Sequence, residues 1–301
     1  MITILLSIVL SLASSAILPP GFTLRQFHAT RANVLNMKIE ERVVYSGNTL
    51  NETIWFKDKD KFKVTIEKNG DVLTLVRDGQ KCIVTGSTAK IISQDVCKKN
   101  INKNFYYSTL MPVGSLIAYM KSIGIKANYE QTELLKSKEG YANPSDVFIL
   151  RYEKNPIYVI GVTESDYSSS LSSVRSEKRD LADKLLENLK DKRPQIWLDS
   201  STNYPVRIYG EDTDSGKKLE VLFGSYNVDG NDLPFPSTIK FNVDGIETLS
   251  YGVQNFESNI ASMDDQLFNI AAYSTKFPKS VEEANLSESK KMLLNYLKEY
   301  R

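Results

Sequence analysis

The stretch IWFKDKDKFKV, residues 54–64, sets apolar side chains at nearly every second position with charges between them. Ile54 and Phe56 alternate with Trp55 and Lys57, and Phe62, Val64 and Ile66 alternate with Lys61, Lys63, Thr65 and Glu67. A period of two marks a β-strand with one apolar face and one wet face. Residues 58–60 read as a short connection between two such runs. Asn69-Gly70-Asp71 is a hairpin signal leading into 72–76, and Asp78-Gly79 turns the chain into 81–85. Local chemistry alone therefore predicts four consecutive antiparallel strands.

The same rhythm predicts strands at 146–152, 157–163, 195–199, 205–210, 218–226, 236–243 and 246–256. Turn residues separate several of them: Asn155-Pro156, Asp214-Ser215-Gly216, Asp229-Gly230 and Asp244-Gly245. About a dozen strands on short links predict one large curved antiparallel sheet, because open sheets of that size coil. Helical spacing is confined to four places. Residues 22–33 form a short candidate. Residues 112–123 place Val113, Leu116, Ile117, Met120 and Ile123 on one stripe behind Pro112, which a first helical turn tolerates. Residues 176–190 space Leu181, Leu185 and Leu189 four apart. Residues 280–300, with Leu286, Leu293, Leu297 and Tyr300, predict a rod of about 30 Å. Much sheet and few helices make an α+β architecture. The serine-rich start and charged remainder of 164–192 interrupt the strands, so this segment reads as an insertion, either a solvated excursion or a flap or partner-binding arm.

The first sixteen residues, MITILLSIVLSLASSA, have the apolar length of a secretory signal and end in the small pair Ser14 and Ala16. Export with cleavage after Ala16 follows, leaving a main domain over 17–278 and a terminal helix over 279–301. No later segment approaches the roughly 20 apolar residues of a spanning helix. With 38 basic and 37 acidic residues, bulk charge draws the protein neither to nucleic acid nor to an anionic membrane. The dispersed aromatic residues give nucleic-acid recognition no further support. Cys82 and Cys97 form an isolated pair, expected to be bridged in an oxidising compartment.

Catalytic equipment is sparse. The single histidine, His28, reads as an ordinary helix residue, and GxSxG, HExxH and P-loop patterns are lacking. Residues 211–214 lack EF-hand spacing and read as a hairpin tip. The expectation is a non-enzymatic protein without metal or cofactor. The apolar sheet face has few helices to cover it, so it is either packed shut or encloses room for an apolar ligand.

Five motifs occur in a telling order: Ile54-Trp55-Phe56-Lys57 with Phe62 downstream; Asp78-Gly79-Gln80-Lys81; Met111-Pro112-Val113-Gly114-Ser115-Leu116-Ile117; Pro194-Gln195-Ile196-Trp197-Leu198-Asp199 followed by Tyr204-Pro205-Val206-Arg207; and 222–226 followed by Leu233-Pro234-Phe235-Pro236. Over 22–270 this order resembles the LolA/LolB-like outer-membrane lipoprotein-sorting proteins. The resemblance implies an unclosed β-barrel lined by apolar residues and covered by short helices, with 112–123 as a lid. It also implies a periplasmic, monomeric carrier for the acyl chains of lipoproteins or other lipids, exchanging cargo with an inner-membrane release complex or an outer-membrane acceptor. This chain has Asp58 where those carriers place an arginine after the Trp-x-Lys lysine.

Removing a methylene from water is worth about 0.8 kcal/mol, so a sixteen-carbon chain resists an aqueous compartment by on the order of 12 kcal/mol. The predicted wall against it is Ile54, Phe56, Phe62, Val64, Ile66, Ile196, Leu198, Val206, Ile208, Val221, Phe223, Ile239 and Phe241, with Leu116, Ile117 and Met120 on the lid. The competing reading of these residues is a filled core, and a one-residue slip would reverse the choice of face. The competing function is an envelope sensor or scaffold that uses the same fold for protein contacts.

Overall fold

The computed structural model describes residues 34–57, 61–79, 81–92, 120–126, 148–152, 155–161, 190–191, 193–212 and 215–299, with short pieces at 16–17, 24–26, 29, 117 and 135–136. Eighteen strands lie among the described residues: β1 (Ala16–Ile17), β2 (Asn36–Tyr45), β3 (Asn48–Lys57), β4 (Lys61–Lys68), β5 (Asp71–Asp78), β6 (Lys81–Thr85), β7 (Lys90–Ile92), β8 (Leu135–Lys136), β9 (Phe148–Tyr152), β10 (Asn155–Ile160), β11 (Gln195–Asp199), β12 (Pro205–Glu211), β13 (Lys218–Phe223), β14 (Tyr226–Val228), β15 (Pro234–Pro236), β16 (Thr238–Val243), β17 (Ile246–Ser258) and β18 (Ser280–Glu282). Two helices follow the strands, α1 (Ile270–Lys276) and α2 (Glu288–Glu299). Fourteen strands are hydrogen-bonded in the order β18-β7-β6-β5-β4-β3-β2-β17-β16-β13-β12-β11-β10-β9. The pairs are antiparallel except β18 with β7, which is parallel. The two end strands each have one neighbour, so this large sheet is not closed.

The chain divides into two compact units. The first comprises Met1–Thr30, Pro112–Leu222 and Asn242–Ile246; the second comprises Arg31–Met111, Phe223–Phe241 and Glu247–Arg301. In the second unit the strand run follows directly from turn chemistry. Ser46-Gly47 and Asn69-Gly70 each place two successive residues at positive φ. That is the requirement of a two-residue hairpin whose twist matches its strands. Register is then set by alternation: in β4, Phe62, Val64 and Ile66 are buried while the intervening residues are partly or fully exposed.

Four expectations change. The strand β2 was not anticipated from sequence: Met37, Ile39 and Val43 are in phase, but Glu41 stands at the same parity and breaks the apolar series. The segment 280–300 is not one rod. Ser280–Glu282 pairs with β7, Leu286 has extended backbone, and the helix starts only after Ser287, whose hydroxyl accepts from the Lys290 amide. The helix is therefore 12 residues long. The unanticipated α1 begins at Asn269, whose side chain accepts from the Ala272 amide. Finally, the opposite face of the β3–β6 strands is not simply wet. Trp55 and Lys63 lie there with Val76 and Ile83, and residues 265–276 pack over β4–β6 with Phe268 buried. Lys63 Nζ sits 4.4 Å from the Trp55 ring and 5.9 Å from that of Tyr273. Burial, with the Lys276 ammonium adding to it, pushes Lys63 below the usual lysine range.

In the first unit, β9 to β13 form an antiparallel run. The predicted 22–33 and 112–123 helices are helical where described, at 24–26 and 29 and at 117 and 120–122. Residues 58–60, Leu116, Cys97 and the predicted 176–189 helix lie outside the described residues. The predicted 218–226 and 236–243 strands each divide, into β13 and β14 and into β15 and β16.

Candidate functional site

In the second unit the strand registers align apolar side chains into rows running across the strands. One row reads Phe256, Ile39, Ile54, Val64, Leu75, Val84, Ile91 and Val281, one residue from each of β17, β2, β3, β4, β5, β6, β7 and β18. Its six central members are all buried. At about 4.8 Å between strands the row extends about 34 Å. The neighbouring row towards the 58–60 connection carries Met37, Phe56, Phe62, Arg77 and Cys82. On the other side come Glu41, Glu52, Ile66 and Leu73, and beyond them Tyr251, Val43 and Leu50. This is one aliphatic wall with a pair of acids set into it.

Glu41 and Glu52 are direct cross-strand partners, 1% and 2% exposed. Over this part of the wall lies α2, packed against β4 and β5. Its Leu293, Leu294, Tyr296 and Leu297 are buried, and the Tyr296 hydroxyl donates to Glu52 Oε2 at 2.6 Å. The Tyr296 ring packs on Tyr45 with centroids 5.3 Å apart. Burial raises Tyr296 well above the usual phenol range, and the nearby Glu52, Tyr251 and Glu41 add to this, so the hydroxyl keeps its proton for the bond to Glu52. At the rim, Lys290 pairs with Asp71 at 3.5 Å.

The predicted wall residues divide between the units. Ile54, Phe56, Phe62, Val64 and Ile66 share the buried face just described, and Phe223 and Ile239 are buried in the same unit. Phe241 is half-buried and meets Tyr251 edge-on, with ring centroids 5.8 Å apart. In the first unit Ile196 stands opposite Ile208, and Ile208 opposite Val221, on one buried face, with Leu198 at the same parity as Ile196. Val206 is only half-buried. Of the lid residues, Met120 is buried and Ile117 half-buried. Sequence reasoning missed Ile39, Leu73, Leu75, Val84 and the Glu41–Glu52 pair. The signal for the first four was the same alternation one strand further out on either side; nothing in the sequence marks buried acids.

Clefts lined by described residues lie away from this wall. One of about 450 Å³ is bounded by Lys61, Asp78, Lys81 and residues 265–271, with Lys57 pairing Asp265 at 2.8 Å beside it. Another of about 270 Å³ lies at the Ser46-Gly47 turn. Among the described residues no group of His, Cys, Asp and Glu is placed to hold a metal ion, and no helix is long and apolar enough to cross a membrane.

No family model and no curated protein matches the chain. Among solved structures, similar ones include a domain described as an outer-membrane lipoprotein-sorting protein from Vibrio parahaemolyticus, 10% identical with a TM-score of 0.42 over 83% of this chain and 96% of the other. A LolA superfamily protein from Nitrosomonas europaea is 11% identical, with a TM-score of 0.40 over 83% and 97%. A DUF1329 family protein from Desulfovibrio piger is 13% identical, with a TM-score of 0.43 over 84% and 97%. The resemblance read from the motifs thus recurs among the structures this chain is similar to.

Proposed function

We propose that the protein is a non-enzymatic carrier or binding protein for acyl chains, of lipoproteins or of other lipids, working in the periplasm after cleavage behind Ala16 and a Cys82–Cys97 bridge. The observation that carries this reading is the aliphatic row across eight strands, Phe256 to Val281. A filled core needs no straight apolar track of that length, whereas an acyl chain gains about 0.8 kcal/mol for each methylene laid against one. The test is native mass spectrometry of the purified mature protein together with displacement of a fluorescent fatty-acid analogue. Bound lipid and displacement are the expected outcome; if both measurements are blank, the carrier reading is abandoned.

One observation favours a second reading. The wall holds a helix, α2, and a surface that accepts one amphipathic helix accepts another from a partner protein. Crosslinking in cells separates the two: captured lipoproteins support the carrier, and one fixed partner protein supports a sensor or scaffold.

A further inference from the structure

The helix α2 brings two chemistries to the wall. Leu293, Leu294 and Leu297 bury aliphatic surface, and Tyr296 delivers a hydroxyl to Glu52. Placing two carboxylates within an aliphatic wall is costly unless donors meet them there. A wall serving only as packing would be as stable or more so with apolar residues in their place. The acids therefore have a use that packing does not supply, and the group now facing one of them shows which chemistry fits: a neutral donor at the edge of an apolar body.

We propose that Glu41 and Glu52 are the specificity-determining residues of the acyl site, and that α2 is a built-in stand-in for the cargo. The cargo class is an acyl compound with a hydrogen-bond donor, a hydroxyl or an ammonium, next to its chain. Such a molecule displaces α2, lays its chain along the aliphatic rows and puts its donor where the Tyr296 hydroxyl stands. This inference rests on the carrier reading and adds the class of cargo to it.

The local architecture suits an occupant that leaves. The ion pair at the rim, Lys290 with Asp71, joins two half-buried side chains at 3.5 Å, a geometry worth little in water. The helix has 12 residues, at the short end of what persists alone, so it loses helicity once lifted off its seat. A free fatty acid brings a third negative charge against Glu41 and Glu52 and is disfavoured. The titratable groups around the seat are Glu41, Glu52, Tyr45, Tyr251 and Asp71 on the strands and Tyr296 and Lys290 on α2.

The experiment uses the full mature chain and three probes of one chain length, dodecylamine, monolauroylglycerol and laurate, each below its micelle concentration. Calorimetry measures affinity, and hydrogen exchange follows residues 288–299. The amine and the glyceride should bind about tenfold or more tighter than laurate and strip protection from 288–299. Glu52→Gln should shrink that preference several-fold, with Glu41→Gln as the substitute if it folds poorly. Tyr296→Phe, which removes only the donor, should tighten binding of the amine and the glyceride. Equal binding of all three probes, or binding that leaves 288–299 protected, overturns the inference while the carrier reading stands. Binding of none, by wild type and by Tyr296→Phe, overturns both.

Discussion

Gly210 shows how one missing atom positions a lid. A Cβ built there would lie 2.7 Å from the Ile123 carbonyl oxygen and 2.8 Å from the Ile123 Cβ, and the adjoining Glu211 amide donates to that same oxygen at 3.0 Å. The end of the 117–126 segment rests directly on β12 because glycine lets it. Gly210→Ala should cost about 1–3 kcal/mol, read as a shift in the denaturation midpoint without change of slope. Arg207 makes a complementary point. By strand parity it faces away from Ile208, and an exposed arginine is the ordinary outcome. Instead it is 2% exposed, bonded to Glu220 and Asp191 at 2.6 Å each and to the Lys190 carbonyl, with Trp197 and Tyr209 rings at 4.7 and 5.0 Å. Its charge is matched from three sides, and it pins the turn at 190–191. The motif Tyr204-Pro205-Val206-Arg207 was legible in the sequence; the burial of its arginine was not, because the matching groups come from distant positions.

At the scale of elements, hairpins were the most legible part of the fold, since Asn69-Gly70 and Asp244-Gly245 carry their conformation in their residue types. The Asp229-Gly230 turn shows what such a signal leaves out. Asp229 Oδ1 accepts from the amides of Asn231 and Leu233, and Oδ2 accepts from the amide and hydroxyl of Ser258, 29 residues away. Burial opposes ionisation of this carboxyl, yet the Ser258 hydroxyl and the three amides outweigh it and hold the group below its usual 3.8. A lowered carboxylate value adds stability that is complete above about pH 4 and is lost as pH falls through the folded value. Asp229→Asn should therefore lower stability by about 2 kcal/mol at neutral pH. The gap between variant and wild type should close as urea midpoints are measured downward from pH 5 to pH 2. The terminal segment was the least legible element. Its leucines have helical spacing throughout, but pairing of Val281 with Ile91 draws the first third into a strand.

For the molecule as a whole, the proposed Cys82–Cys97 bridge closes a short loop, and chain entropy assigns it about 3 kcal/mol. No cysteine among the described residues carries a free thiol. Reduction should lower the thermal midpoint by an amount set by that energy, and Cys82→Ser with Cys97→Ser should reproduce the reduced protein; no shift in either case would refute the bridge. The sequence by itself determined the β-rich architecture, most strand positions and the buried parity of Ile54, Phe56, Phe62, Val64 and Ile66, because alternation and turn residues act over a few neighbours. Only tertiary structure decided which strands align into the long aliphatic row, that Glu41 and Glu52 stand side by side within the wall, and that α2 covers them with Tyr296. Those outcomes depend on registers and contacts between residues as far apart as 52 and 296, where the energy of one arrangement over another is summed across strands and is carried by no local pattern.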